Sequence, residues 1–215
     1  MTPNRRQRMD GLVLLRRLDD GIARAAFFDP QYRGVLDRQA YGNEGARQGA
    51  RSRLPQMSEA KVAEFVGQLG RVLTPSGHLM LWLDKFSVGE AIHLRLLSAY
   101  PDLRVVDLIC WSKLTFGMGA RARGTAEYLV VAQRCPIKAR GAWFDRGIHD
   151  CWTEKVPRGG HPHAKPLGLT KRLIECVTRP GDLVIDPAAG GYGVLRACQE
   201  TGREFLGCDI RGAAP

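Results

Sequence analysis

Residues 182–209 restrict the fold more than any other part of this 215-residue chain. Asp182-Leu183-Val184-Ile185-Asp186 reads as a short buried strand, and Pro187-Ala188-Ala189-Gly190-Gly191-Tyr192-Gly193 as a glycine-rich turn. Residues 194–200 then read as a helix and 205–208 as a second strand that runs into Asp209. Strands that alternate with helices form a mostly parallel sheet covered on both faces.

The rest of the chain continues the alternation. Residues 12–18 carry Leu12, Leu15 and Leu18 at helical spacing, stopped by Asp19-Asp20-Gly21. Residues 25–28 read as a buried strand ending at Asp29. Ser58 caps an amphipathic helix carrying Val62, Phe65, Val66 and Leu69, which Thr74-Pro75-Ser76-Gly77 breaks. Strands are expected at 78–83, 103–111 and 126–132, and helices at 88–99 and 167–176. Residues 33–57 read as a long loop, a length that in compact domains is usually functional. Residues 134–160 are polar, with Trp143, Phe144 and Trp152 interspersed, and show no period. The expectation is one α/β domain spanning 1–215.

Lysine and arginine total 32 against 22 acidic residues, a net charge of +10. Such a balance permits a polyanionic partner. The excess gathers at Arg33, Arg38, Arg47, Arg51 and Arg53, again at Arg121, Arg123, Arg134, Lys138 and Arg140, and at Lys155, Arg158 and Lys165. No apolar run approaches the ~20 residues that cross a membrane, and the basic start lacks a signal-peptide core, so a cytoplasmic protein is expected. The six cysteines form no CxxC pair and read as reduced thiols. Cys151, His161 and His163 match no common zinc spacing, so no metal is expected.

Two places carry candidate chemistry. Asp186 ends a strand at a glycine turn, where backbone can approach a ligand closely, and Asp209 ends the next strand, where a carboxylate can accept from ribose hydroxyls. A tight reversal after a strand would look the same. Near the N-terminus the strand ends in Phe28-Asp29-Pro30-Gln31-Tyr32. A simple turn with a packed tyrosine would also fit there.

Taken together, these motifs resemble the amino-methyltransferases that modify DNA. The stretch His161-Pro162-His163-Ala164-Lys165-Pro166, then Leu169, Leu173 and Ile174, then Pro180 to Pro187, is similar to that family's cofactor block, whose loop usually runs D-P-F-x-G-S-G-T. This chain reads D-P-A-A-G-G-Y-G, without the phenylalanine and the final threonine. The family's catalytic motif is D-P-P-Y, from which Gln31 departs. With the catalytic block written before the cofactor block, the order resembles the permuted beta class. The resemblance implies a Rossmann-like methyltransferase fold, a circularly permuted motif order, S-adenosylmethionine as cofactor and double-stranded DNA as partner. It implies that Lys165, Pro166, Asp186, Gly190 and Gly193 surround the methionine moiety, that Asp209 binds the ribose, and that Asp10 stands where the family contacts adenine.

An exocyclic amine of a base is a poor nucleophile because its lone pair is conjugated into the ring. Asp29 and the carbonyl of Pro30 would accept its hydrogens and draw the nitrogen towards tetrahedral geometry, while Tyr32 stacks on the extruded base. The target implied is adenine N6, since Asp is common at the first position there and Ser is frequent in cytosine N4 enzymes. Cytosine N4 stays open, as does an inactive nucleic-acid-binding relative, prompted by Gln31 and the altered loop. Relatives that act on RNA or protein amides usually begin this motif with Asn. Residues 33–57 and 134–160 are the candidate recognition regions, with Arg33, Arg38, Arg47, Arg51, Arg121 and Arg123 as candidate phosphate or guanine contacts. Members of the family often pair, so a homodimer is compatible with so small a recognition region.

Overall fold

The computed structural model describes residues 2–30, 57–115, 122–156 and 163–212. Helix α1 (Gly11–Arg16) begins where Asp10 Oδ1 accepts from the backbone of Leu12 (2.8 Å) and Val13 (3.3 Å), satisfying two of the N–H groups a helix start leaves unpaired. Strand β1 (Ala23–Phe28) leads to the edge where Asp29 stands. Helix α2 (Glu59–Val72), capped by Ser58 Oγ on Lys61 N at 3.2 Å, passes directly into strand β2 (Leu73–Leu83). Helices α3 (Lys85–Gly89) and α4 (Ile92–Leu97) follow, then strands β3 (Leu103–Ser112), β4 (Ala126–Arg134) and β5 (Cys151–Thr153). Helix α5 (Leu167–Val177), strand β6 (Leu183–Asp186), helix α6 (Gly193–Thr201) and strand β7 (Glu204–Gly207) close the chain.

The strands form one sheet in the order β5-β3-β4-β2-β1-β6-β7. Pairing is parallel throughout except on the two sides of β4. Because β4, alone among the described strands, runs backwards, its first residues reach the same edge as the last residues of its neighbours. Successive residues of a strand face opposite sides, and β1 shows this directly. Ala26 and Phe28 join one core layer with Leu14, Leu15, Phe65, Val66 and Leu69 of α1 and α2. Ala25 and Phe27 join the other with Leu169, Leu173, Ile174, Leu195 and Cys198 of α5 and α6. Helices therefore cover both faces, as the alternation in the sequence requires. Among the described residues no helix is long and apolar enough to cross a membrane.

Three elements differ from expectation. The helix expected at 88–99 is two short ones, because Asp84 caps an earlier start through Phe86 N and Ser87 N, and Ala91 sits in the left-handed region at φ 53°. Strand β2 begins at Leu73 rather than His78. Thr74–Gly77 are accommodated as a bulge, since Ala23 pairs with Leu73 and Ala25 with His78. Within 134–160, Trp143, Ile148, Trp152 and Val156 pack on the second core layer, and β5 pairs in register with the end of β3.

The N-terminal segment closes against the C-terminal strand. Asn4 exchanges bonds with Phe205 through its own N–H (2.8 Å) and its side-chain oxygen (2.8 Å). Gln7 and Met9 bracket Asp209 through backbone bonds of 3.1 and 3.2 Å. Helix α1 is thereby pressed onto the glycine turn, and a Cβ at Gly11 would lie 2.1 Å from Pro187 O and 2.7 Å from a Phe65 ring carbon. Gly11→Ala is therefore expected to destabilise the fold by about 1–3 kcal/mol, the usual cost of overpacking. Urea unfolding checks it, and an unchanged midpoint would mean that α1 does not seat on Pro187.

Candidate active site

Strand β6 sends its chain outward to β7, and β1 sends its chain the other way to β2. Connections that diverge from neighbouring parallel strands leave a crevice at their carboxyl ends, where open α/β sheets bind ligands. A cavity of about 450 Å³ lies there. Asp10, Gly11, Asp29, Lys165, Asp186, Gly190, Gly193 and Asp209 line it, together with Phe28, Met57, Phe65 and Trp82. The two motifs from opposite ends of the sequence thus open into one space. Pro30 and Pro166 are buried directly beside Asp29 and Lys165, outside the cavity wall. Arg123 is exposed and away from the cavity. Tyr32, Arg33, Arg38, Arg47, Arg51 and Arg121 lie outside the described residues, as does Gln31.

The glycine turn is held from both sides. Gly190 N donates to Asp209 Oδ2 (3.2 Å), Arg211 N to Asp209 Oδ1 (2.8 Å), and Ala189 N to Cys208 O (2.9 Å). A Cβ at Gly193 would meet nothing within 4 Å, so the turn faces open space. Asp186 is buried and accepts one bond, from Ala188 N at 3.1 Å. Burial, followed by the negative charges of Asp29 and Asp209, pushes its carboxyl up to about 8 against the pull of that bond.

On the other wall charges alternate. Lys165 Nζ lies 2.9 Å from Asp29 Oδ2 and 2.8 Å from Glu127 Oε2, and Glu127 Oε1 lies 3.0 Å from Lys113 Nζ. Lys165 also sits over the Trp82 ring, 5.2 Å from its centroid. Burial works against the charged form of Lys165, but Asp29 and Glu127 outweigh it and hold the ammonium above its ordinary range. Burial likewise works against ionised Glu127, yet Lys165 and Lys113 take it down to about 2. Glu127 reaches Lys165 because β4 starts at the edge where β1 to β3 end.

The helix behind Lys165 starts at Pro166, which has no capping side chain. Glu154 caps it from a distant segment, accepting from Gly168 N (3.0 Å) and Leu169 N (3.1 Å), and is itself held by Trp152 Nε1 at 2.8 Å. A carboxylate is favoured there by the helix dipole. A Cβ at Gly168 would lie 2.6 Å from Glu154 Oε2, so the glycine makes room for the cap. Sequence reasoning singled out neither Glu154 nor Glu127 as a site residue. No local spacing announces either of them, because each acts on a residue far away in the chain.

Asp186 gives the fold a distinct pH signature. An exposed aspartate ionises near 3.8, so between that pH and about 8 the unfolded chain releases a proton that the folded chain keeps. Its contribution to stability is largest below pH 4 and declines as the pH rises through 8. Asp186→Asn should cancel the decline and make the ligand-free protein about 1–3 kcal/mol more stable than wild type at pH 8, with little gain at pH 4. Urea unfolding at both pH values checks this, and a gain independent of pH would rule it out.

Residues 58–213 match a family model described as DNA methylase. The chain is 45% identical over 208 residues to the type II methyltransferase M.HhaII of Haemophilus parahaemolyticus, covering 96% of this chain and 91% of the relative. The fold is similar to the M1.HpyAVI–SAM complex (TM-score 0.67, 18% identity, 95% and 92% of the two chains). It is similar also to the cytosine-N4-specific PvuII DNA methyltransferase (TM-score 0.71, 12% identity, 98% and 83%). With a family model spanning most of its length and a full-length relative at this identity, the chain belongs to the N6/N4 DNA methylase family.

Proposed function

We propose that this protein transfers a methyl group from S-adenosylmethionine to the exocyclic N6 of adenine in double-stranded DNA, as the modification enzyme of a type II system. The observation that carries the reading is that Asp29 and the Asp186 glycine turn, far apart in sequence, line one cavity. The type II role rests on M.HhaII, which carries that designation and aligns along nearly its whole length.

The residues present suit the cofactor. The cavity is within the ~300–1,000 Å³ that small-molecule sites occupy. It offers an apolar wall for a ring at Phe28 and Phe65, and carboxylates at Asp10, Asp186 and Asp209 that can accept from hydroxyls, amines and cationic groups. When bound, S-adenosylmethionine supplies a methyl group on a positively charged sulfur. Asp209 accepts from the ribose, while Gly190 and Gly193 let the backbone pass close to the methionine end. Lys165 closes the wall beside Asp29, with Pro166 buried next to it. Asp29 and the Pro30 carbonyl accept the hydrogens of the target amine and favour its tetrahedral form. Tyr32 supplies the stacking face, and the arginines at 33, 38, 47, 51, 121 and 123 contact phosphates and base edges. Asp at position 29 favours adenine over cytosine N4, a distinction that the shared fold of both kinds of enzyme does not make.

Unmethylated double-stranded DNA incubated with the protein and S-adenosylmethionine should yield N6-methyladenine by nucleoside mass spectrometry. N4-methylcytosine would keep the chemistry and change the base, and no methylated nucleoside would overturn the reading. Asp29→Ala should lower turnover by about a hundredfold or more while leaving cofactor binding by calorimetry nearly unchanged. Asp209→Ala should instead weaken cofactor binding roughly tenfold, and unchanged affinity would remove it from the site.

A further inference from the structure

The carboxylate proposed to receive the target amine already has a cation against it, Lys165 Nζ at 2.9 Å. That contact has two opposed consequences. It sets a positive charge against Asp29 in a cavity that also holds Asp186 and Asp209. It also competes with the incoming amine, because a carboxylate fully engaged by an ammonium is a poorer acceptor for a neutral N–H. A lysine paired with Asp29 alone would resolve the competition in its own favour.

Lys165 is not paired with Asp29 alone. Glu127 Oε2 takes the same ammonium at 2.8 Å, and Lys113 draws on the other oxygen of Glu127 at 3.0 Å. The four groups form a row of alternating charge, Asp29, Lys165, Glu127, Lys113, contributed by the ends of β1 and β3, the start of β4 and the segment before α5. The Lys165 and Glu127 side chains are only 20% and 30% exposed, so solvent screens the row weakly. We infer that Glu127 is a positioning residue for methyl transfer: by sharing the Lys165 ammonium, it sets how tightly Asp29 is held and so keeps Asp29 both charged and able to accept the amine. The inference rests on the assignment of Asp29 made above. Among the described residues, Asp186 at the end of β6, Asp209 beyond β7, His163 on the cavity wall and the Trp82 ring of β2 also bear on Asp29 and Lys165.

The test uses the ligand-free full chain, with the Asp29 carboxyl carbon followed by NMR through a pH titration. Glu127→Gln keeps a group that can accept from Lys165 but removes its charge. Among the described residues Asp29 is then the charged partner left to Lys165, and the Asp29 pKa should fall by about half a unit to one unit. Lys165→Met should raise it by about one unit or more. In the Lys165→Met background, Glu127→Gln should shift Asp29 by less than half as much, because the path runs through the lysine. Lys113→Met leaves Glu127 undivided for Lys165 and should move Asp29 upward, which provides an independent arm if Glu127→Gln folds poorly. Single-turnover methylation by Glu127→Gln should fall roughly tenfold, with cofactor affinity within about threefold of wild type.

An Asp29 titration unchanged by Glu127→Gln, or shifted equally with and without Lys165, would overturn the inference. Asp29→Ala retaining turnover would instead sink the assignment of Asp29, while the titrations still judge the coupling. The two failures are therefore distinguishable.

Discussion

The architecture of the site depends on a short pairing between strands from the two ends of the chain. Ala25 and Ala26 of β1 lie in register with Val184 and Ile185 of β6, in parallel. That register brings Asp29 and Asp186 to the same edge, near enough for the charge of Asp29 to raise the cost of charging Asp186. Closing a loop becomes only slowly more expensive with its length, so a sheet can place its central strands side by side whichever is written first. The order of the motifs is a matter of connectivity, and the site geometry does not depend on it. Bonds from Asn4, Gln7 and Met9 to Phe205 and Asp209 add a second closure between the ends.

Four carboxylates line the cavity, and like charges in a partly dry space are costly unless each is dealt with. The structure treats each one differently. Asp10 is turned to the start of α1 and Asp209 to the N–H groups of Gly190 and Arg211. Asp29 faces an ammonium that Glu127 shares. Asp186, with one backbone bond to its carboxyl and no cation among the described residues, holds its proton far above the usual range. The differences follow from where each residue stands: the helix start gives Asp10 two N–H groups, whereas the end of β6 gives Asp186 one. The carboxylate assigned to the reaction is also the one whose charge is supported by an adjustable partner.

Most of the sheet was legible from short apolar runs bounded by turn residues, and both halves of the cavity from Asp29-Pro30 and the Asp186 turn. What was not legible depends on distant partners. Strand β5 has three residues and little burial of its own. It exists because it pairs with the end of β3, beside a Glu154 whose carbonyl accepts from Trp111 Nε1 at 2.8 Å and whose carboxylate caps α5. Glu127 lies on the single reversed strand, and no spacing along the chain links it to Lys165. The division at Ala91 was hidden because Val88 and Ile92 keep helical spacing across it, although Asp84 was present as a start signal. The resemblance to DNA methylases supplied the roles, and the geometry shows which of their bearers share a space.

The altered glycine turn shows how the fold tolerates its departure from the family pattern. Set against D-P-F-x-G-S-G-T, the second patterned glycine falls on Tyr192. The backbone there has φ 59°, the left-handed region in which a non-glycine residue costs about 1–2 kcal/mol. The tyrosine side chain offsets that strain with contacts a glycine could not make. Its ring is 2% exposed and meets Phe205 edge-on at 6.3 Å, and its hydroxyl donates to Gln7 O (2.7 Å) and accepts from Gln7 N (3.1 Å). Those two bonds fasten the N-terminal segment to the turn just before Asp10 and Gly11 enter the cavity wall. The conformational freedom lost with a glycine is replaced by a fixed anchor, the pair of bonds to Gln7. The mismatch with the family pattern therefore couples the two ends of the chain at the edge of the cavity.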